Sequence, residues 1–170
     1  MNTKLISLDS SSSKTGWALF ENAEYKNSGV IDLDTKECKK KYKGKSDKRI
    51  EDMCLAIIHL LQEYKPDIIV IEKLAVTRNM VSVRCLCKVI GAVYCYSILH
   101  NNVFYYEIQP SEWRSKLGIQ SKGKKREDFK QLSIEYVKSH YGIDVGDDES
   151  DAICAGMGYI MMFTDNSSGP

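Results

Sequence analysis

Short apolar runs alternate with polar breaks along the chain, and the period of the runs changes with position. Residues 4–9 (KLISLD) form an apolar run closed by an acid. The turn-forming stretch SSSSKTG follows, and then a second run, WALFE. This predicts strand, tight polar turn, strand, with a third strand over Tyr25–Leu33 completing an antiparallel meander. Residues 34–46 are polar and Lys-rich and are expected to be mobile. Beyond them Ile50, Met53, Cys54, Ile57, Leu61 and Tyr64 fall at helical spacing, with Ser46 as the expected cap and Pro66 past the end. Residues 67–72 (DIIVIE) are nearly all apolar, as in a strand covered on both faces.

The period then returns to that of a helix over Met80–His100, with Val83, Cys87, Ile90 and Tyr94 on one face. This segment is apolar on more than one face, a pattern shared by a dimer seam and a deep core helix. Val103–Ile108 reads as a fifth strand, and Pro110 suits the first turn of a short helix containing Trp113. A helix is expected from Arg126 to about His140, stopped near Gly142. The last helix is expected from about Asp148 to about Phe163. The order predicts an α/β fold, a five-stranded mixed sheet with an N-terminal antiparallel meander flanked by helices. One domain is expected over residues 1–164, followed by a disordered polar tail, 165–170.

The length of 170 residues fits that single domain, and 43 % hydrophobic with 28 % charged residues argues against wholesale disorder. No apolar run is read as approaching the ~20 residues of a membrane span, and residues 1–10 show no signal-type apolar stretch. A cytoplasmic chain with no membrane partner is therefore expected. The six cysteines include no CxxC pair and are expected to be reduced, mostly buried thiols. Trp17 and Trp113 are read as core residues, and no histidine lies beside the acids considered below.

Net charge is only +1, but it is segregated. Residues 36–49 hold eight Lys/Arg against two acids, 113–126 hold six Lys/Arg and no acid, and 144–151 (DVGDDESD) hold five acids. Basic stretches beside an acidic cluster suggest a polyanion gripped by lysines while carboxylates hold a metal.

The chemistry-bearing candidates are acids at strand ends. Asp9 closes the first strand and Glu72 the fourth, and ligands of α/β sheets gather beyond the carboxyl ends of parallel strands. Asp148 and Asp151 are three apart and share a helix face. Four carboxylates at one point repel unless a cation stands between them. Oxygen donors without His or Cys specify Mg²⁺, with Mn²⁺ as a substitute, over zinc. Two such ions suit phosphodiester hydrolysis.

Taken together, L-D9-x-S-x-x-x-T15-G16-W, I-V-I-E72-K and D148-E-S-D151-A152 resemble the RuvC-type Holliday junction resolvases of bacteria and their phages, within the ribonuclease H-like nuclease superfamily. The resemblance runs from Leu5 to about Phe163. It implies a ribonuclease H-like fold, a homodimer, Mg²⁺ dependence and paired nicks across four-way DNA. Carried over residue by residue, it makes Asp9, Glu72, Asp148 and Asp151 both catalytic residues and metal ligands. Asp148 falls where many members have a histidine, as in the all-carboxylate, phage-type variant. Asp147 and Glu149 are rival choices that break the spacing of three. Lys122, Lys124, Lys125 and Arg126 resemble the family's DNA-contact segment. The junction-wedging aromatic often found after Glu72 is missing from residues 73–78, where Arg78, with Asn79 and Arg84 beyond it, can contact phosphate instead.

Two alternatives accompany this reading. One is another ribonuclease H-like enzyme, such as an ATP-handling relative, for which the chain is too short to hold the duplicated domains. The other is a non-catalytic branched-DNA binding module, which has no need of four acids.

Overall fold

The computed structural model of the protein describes residues 3–74, 79–100, 102–119 and 126–164. In chain order it contains β1 (Lys4–Ser10), β2 (Lys14–Glu21), β3 (Glu24–Asp32), α1 (Lys36–Lys41), α2 (Ser46–Tyr64) and β4 (Ile68–Glu72). These are followed by α3 (Met80–Leu99), β5 (Phe104–Ile108), α4 (Pro110–Lys116), α5 (Arg126–Tyr141) and α6 (Asp147–Thr164). The strands form one sheet in the order β3-β2-β1-β4-β5. β1, β2 and β3 pair antiparallel, whereas β4 runs parallel to both β1 and β5. This is the expected mixed sheet with its meander.

Strand alternation sorts the sheet into two faces. Ile6, Leu8, Leu19, Ile69 and Ile71 pack into a core with Ile50, Met53, Ile57 and Leu61 of α2 and Val89, Val93 and Tyr96 of α3. Leu5, Ala18, Phe20, Val70 and Ile108 face the other way, onto Trp113 of α4, Val137 of α5 and Ile153 to Ala155 of α6. By this parity Asp9 follows Leu5 and Ser7, and Glu72 follows Ile68 and Val70, so both acids belong to the α6 face.

Small residues let α6 lie directly on that face. The Ser7 hydroxyl donates to the Ala152 carbonyl at 2.7 Å. A Cβ on Gly156 would stand 2.4 Å from the Phe20 ring and 2.6 Å from Ser7 Oγ. A Cβ on Gly16, which pairs with Asp9 across β1 and β2, would stand 1.8 Å from the Asp148 carbonyl oxygen. The backbone at the start of α6 thus touches the strand that neighbours Asp9.

Several expectations are corrected. Residues 34–46 are not all loop: α1 forms there, with Thr35 Oγ1 accepting from the Cys38 amide at 3.2 Å. It is pinned through Tyr42, which is buried and donates its hydroxyl to Asp52 at 2.6 Å. Ser46 does not cap α2; Lys45 occupies that position without a side-chain bond. The inward face of α3 is Val89, Val93, Tyr96 and Ser97, while Cys87 and Tyr94 of the expected stripe are exposed. A helix apolar all round carries no sequence signal for which face turns inward. α3 is also long and apolar enough, by length and composition, to cross a membrane, contrary to the expectation for this chain. Its apolar residues are interrupted by Arg84 and Lys88, so the hydropathy lies in the helix average and not in an unbroken run. Of the six free cysteines only Cys154 is buried. The expected tail, 165–170, lies outside the described residues.

Gly16→Ala tests the docking of α6. The added methyl meets backbone, which cannot swing aside as a flexible side chain can, so denaturant melts should show a loss of at least about 2 kcal/mol. Unchanged stability would mean that α6 does not press on β2 at this point.

Candidate active site

Asp9 and Glu72 are brought together by strand pairing. The parallel register sets Leu8 beside Ile71, so the next residues, Asp9 and Glu72, end adjacent strands on the same face. α6 begins above them. Of the four acids in its first turn and a half, two are engaged elsewhere. Asp147 is ion-paired with Lys130 of α5, which holds its carboxyl below the usual range. Glu149 accepts from the Ser28 hydroxyl of β3 at 2.5 Å, and Ser28 in turn is bonded to Tyr25 at 2.8 Å. Asp148 and Asp151 are left on the side of Asp9.

The acids act on one another through their charges. Asp9 is pushed well above the usual carboxylate range, first by burial and then by the charges of Glu72, Asp151, Asp148 and Asp147. Burial also raises Asp151, with the Ser133 hydroxyl and Arg114 pulling the other way. Asp148 is raised by burial and by Asp147, against Lys14 and Lys130. Asp151 Oδ1 is buried without a hydrogen-bond partner. Among the described residues, no three His, Cys, Asp or Glu side chains close into a finished metal cage. What they form is a concentration of negative charge with an unsatisfied oxygen. Such a donor set, all hard oxygen, fits Mg²⁺ or Mn²⁺.

One neighbour was not foreseen as part of the site. Trp113, expected in the core, is fully buried there, and its indole N–H also donates to Glu72 Oε2 at 3.2 Å. Arg114 lies over the Trp113 ring at 4.6 Å and over the Phe129 ring at 4.5 Å. Trp113 and Glu72 are 41 residues apart, and no local pattern signals such a pair.

The candidate DNA contacts fall differently. Arg84 is exposed on α3. Asn79 serves as the α3 cap, its side-chain oxygen accepting from the amides of Val81 at 3.1 Å and Ser82 at 3.3 Å. Arg78, Lys122, Lys124 and Lys125 lie outside the described residues, and Arg126 opens α5.

The fold has counterparts among solved structures. Thermus thermophilus RuvC, solved in complex with a Holliday junction substrate, superposes with a TM-score of 0.71 at 13 % identity, covering 97 % of this chain and 98 % of the other. The yeast mitochondrial Holliday junction resolvase gives a TM-score of 0.59 at 14 % identity, covering 94 % and 78 %. The Fowlpox virus resolvase, solved with Holliday junction DNA, gives 0.55 at 15 %, covering 95 % and 97 %. At these identities the likeness is one of fold. No curated protein sequence matches the chain. The sequence model of crossover junction endodeoxyribonuclease RuvC matches residues 5–154, nearly the whole of the sheet and its helices, and the chain therefore belongs to the RuvC family.

Proposed function

We propose that this RuvC-family endonuclease resolves four-way DNA junctions by paired, metal-dependent phosphodiester hydrolysis, with Asp9, Glu72, Asp148 and Asp151 as catalytic residues and metal ligands. The observation that carries this reading is the gathering of acids at Asp9, where Glu72 of β4 and Asp151 and Asp148 of α6 all act on one carboxylate of β1. Such crowding opposes folding and persists where a cation makes use of it.

Asp9 and Glu72, fixed on neighbouring strands, provide the rigid half of the site. Asp148 and Asp151, on one face of α6, provide the other half, and the Gly16 contact sets the distance between the halves. Two Mg²⁺ or Mn²⁺ ions held there would supply an activated water and stabilisation of the leaving 3′ oxygen. With no histidine at position 148, the chain offers no imidazole base there, and its acids act by holding and orienting. Arg84 and the basic residues Arg78, Lys122, Lys124, Lys125 and Arg126 would neutralise phosphates on either side of the scissile bond.

Two cuts on opposing strands need two sites related by symmetry, which an isologous homodimer supplies. α3 is the proposed seam: Met80, Val81, Tyr94, Ile98 and Leu99 are 50–78 % exposed, an apolar surface on a helix whose opposite face is already core. The alternative of a binding module without catalysis is disfavoured, because these acids near phosphate weaken binding.

The deciding experiment is cleavage of matched four-way, three-way and linear DNA with Mg²⁺, Mn²⁺ or EDTA. Metal-dependent, symmetric nicking of the four-way substrate is expected. Asp9→Asn, Glu72→Gln and Asp151→Asn should each lower the rate by orders of magnitude while junction affinity in EDTA is kept; full activity in any of them would sink the four-carboxylate site.

The acids also make a stability prediction. A carboxyl raised in the folded state opposes folding when ionised. The metal-free protein should therefore gain stability as pH falls through the raised value of Asp9. This gain ends at about pH 4, where the unfolded chain takes up the same protons and the ion-paired Asp52 and Asp147 begin to lose their contribution. Asp9→Asn should raise Tm in EDTA at pH 7, by roughly 2–4 °C for each kcal/mol of repulsion relieved. A lowered Tm would contradict this.

For the seam, Ile98→Asp should convert a dimer at micromolar concentration to monomer in sedimentation runs and abolish paired nicking. A wild-type chain that sediments as monomer and still cuts both strands would remove the dimer. Lys124→Ala with Lys125→Ala should weaken binding to all junction sequences alike and flatten the slope of log affinity against log salt by roughly one unit per lost contact. An unchanged slope and affinity would exclude this segment from the DNA surface.

A further inference from the structure

We propose that Trp113 is a positioning residue for the reaction, its indole N–H fixing the carboxylate of Glu72 for the metal. The inference rests on Glu72 being a metal ligand, as argued above.

A buried tryptophan needs one acceptor for its N–H. Carbonyl oxygens commonly fill that need, but here the acceptor is Oε2 of Glu72, at 3.2 Å. The donor is unusually constrained. Trp113 is fully buried, and its Cα and Cβ rest on Gly158 of α6, where an added Cβ would come within 2.4 Å of Trp113 Cβ. The Arg114 guanidinium covers the ring at 4.6 Å. The helix that carries it is fixed at its start by Pro110 and by a reciprocal capping box between Gln109 and Glu112. The indole therefore cannot follow a moving carboxylate, and its N–H gives Oε2 of Glu72 a fixed direction.

Glu72 needs such a constraint more than Asp9 does. It is one methylene longer, has one more rotatable bond, and ends its strand beside like charges that drive it away. A hydrogen bond from a rigid neutral donor opposes that drift without adding a positive charge that would compete with a cation. Through Gly158, the same tryptophan also links the strand-borne acid to the helix that carries Asp148 and Asp151. Groups that orient ligands in this way are worth about 10–100-fold in metal affinity or activity when removed.

The test uses the full chain and three readouts. First, Trp113→Phe, which keeps an aromatic ring and loses the N–H, is compared with wild type in single-turnover cleavage of a four-way junction over a range of Mg²⁺. The half-saturating Mg²⁺ should rise about tenfold or more. Second, junction affinity in EDTA should stay unchanged. Third, Ca²⁺ is titrated without DNA in a Trp17→Phe protein, where Trp113 is the sole tryptophan of the two in the chain. Its emission should respond to Ca²⁺, and the response should vanish when Glu72→Gln is added. If Trp113→Phe fails to fold, benzothienylalanine at position 113 replaces only the N–H with sulfur and is read in the same way. Wild-type Mg²⁺ dependence in a folded protein lacking the N–H, with Glu72→Gln inactive, would overturn the positioning role alone and leave Trp113 as core. Full activity of Glu72→Gln would overturn the metal-ligand reading, and the role of Trp113 with it.

Discussion

The close approach of one helix backbone to two strands governs the acidic end of this sheet. α6 carries two of the four acids, β1 and β4 carry the others, and the separation of the two pairs is set by whatever lies between helix and sheet. At Gly16 and Gly156 there is no side chain to intervene, and Ser7 fills its place with a hydroxyl that bonds the helix. Larger residues would lift α6 away and draw Asp148 and Asp151 apart from Asp9. The packing that stabilises the domain is thus the same packing that creates its least favourable electrostatic contact.

That unfavourable contact is managed by dividing the acids of α6 between two tasks. Lys130 neutralises Asp147, and Ser28, backed by Tyr25, holds Glu149 toward β3. Both are structural uses of charge, placed near a helix N-terminus that favours them. Asp148 and Asp151 have no such full compensation, and burial raises both. Proteins keep strained or repelling groups where function requires them and recover the stability elsewhere, here in two apolar cores on opposite faces of the sheet.

Much of this is legible in the amino-acid sequence. Short apolar runs ending in acids locate β1 and β4, and the nearly unbroken apolar run of β4 marks it as covered on both faces. Helix positions followed from spacing and from Pro66 and Gly142. The acids were legible because strand-end carboxylates and a three-residue spacing are local patterns. What escaped was non-local or degenerate. The inward face of α3 could not be read, since apolar residues surround the helix. α1 formed in a Lys-rich stretch because Tyr42 found Asp52 on α2, a contact between two elements. The bond from Trp113 to Glu72 spans two elements that only the folded sheet brings together. The separate fates of Asp147, Asp148 and Glu149 depend on partners in α5 and β3 that spacing alone does not name.

The parity of β4 has a further consequence for how errors in folding would show themselves. Apart from Glu72, the strand consists of four aliphatic residues that both cores accept. A slip of one position against β1 would exchange one aliphatic for another, with little change in burial, yet it would turn Glu72 to the opposite face. Melting curves and gross shape report such a mispaired chain poorly, because the buried area barely changes. Nuclease activity reports it sharply, so the specific activity of a refolded sample is a direct count of molecules that paired their central strands correctly.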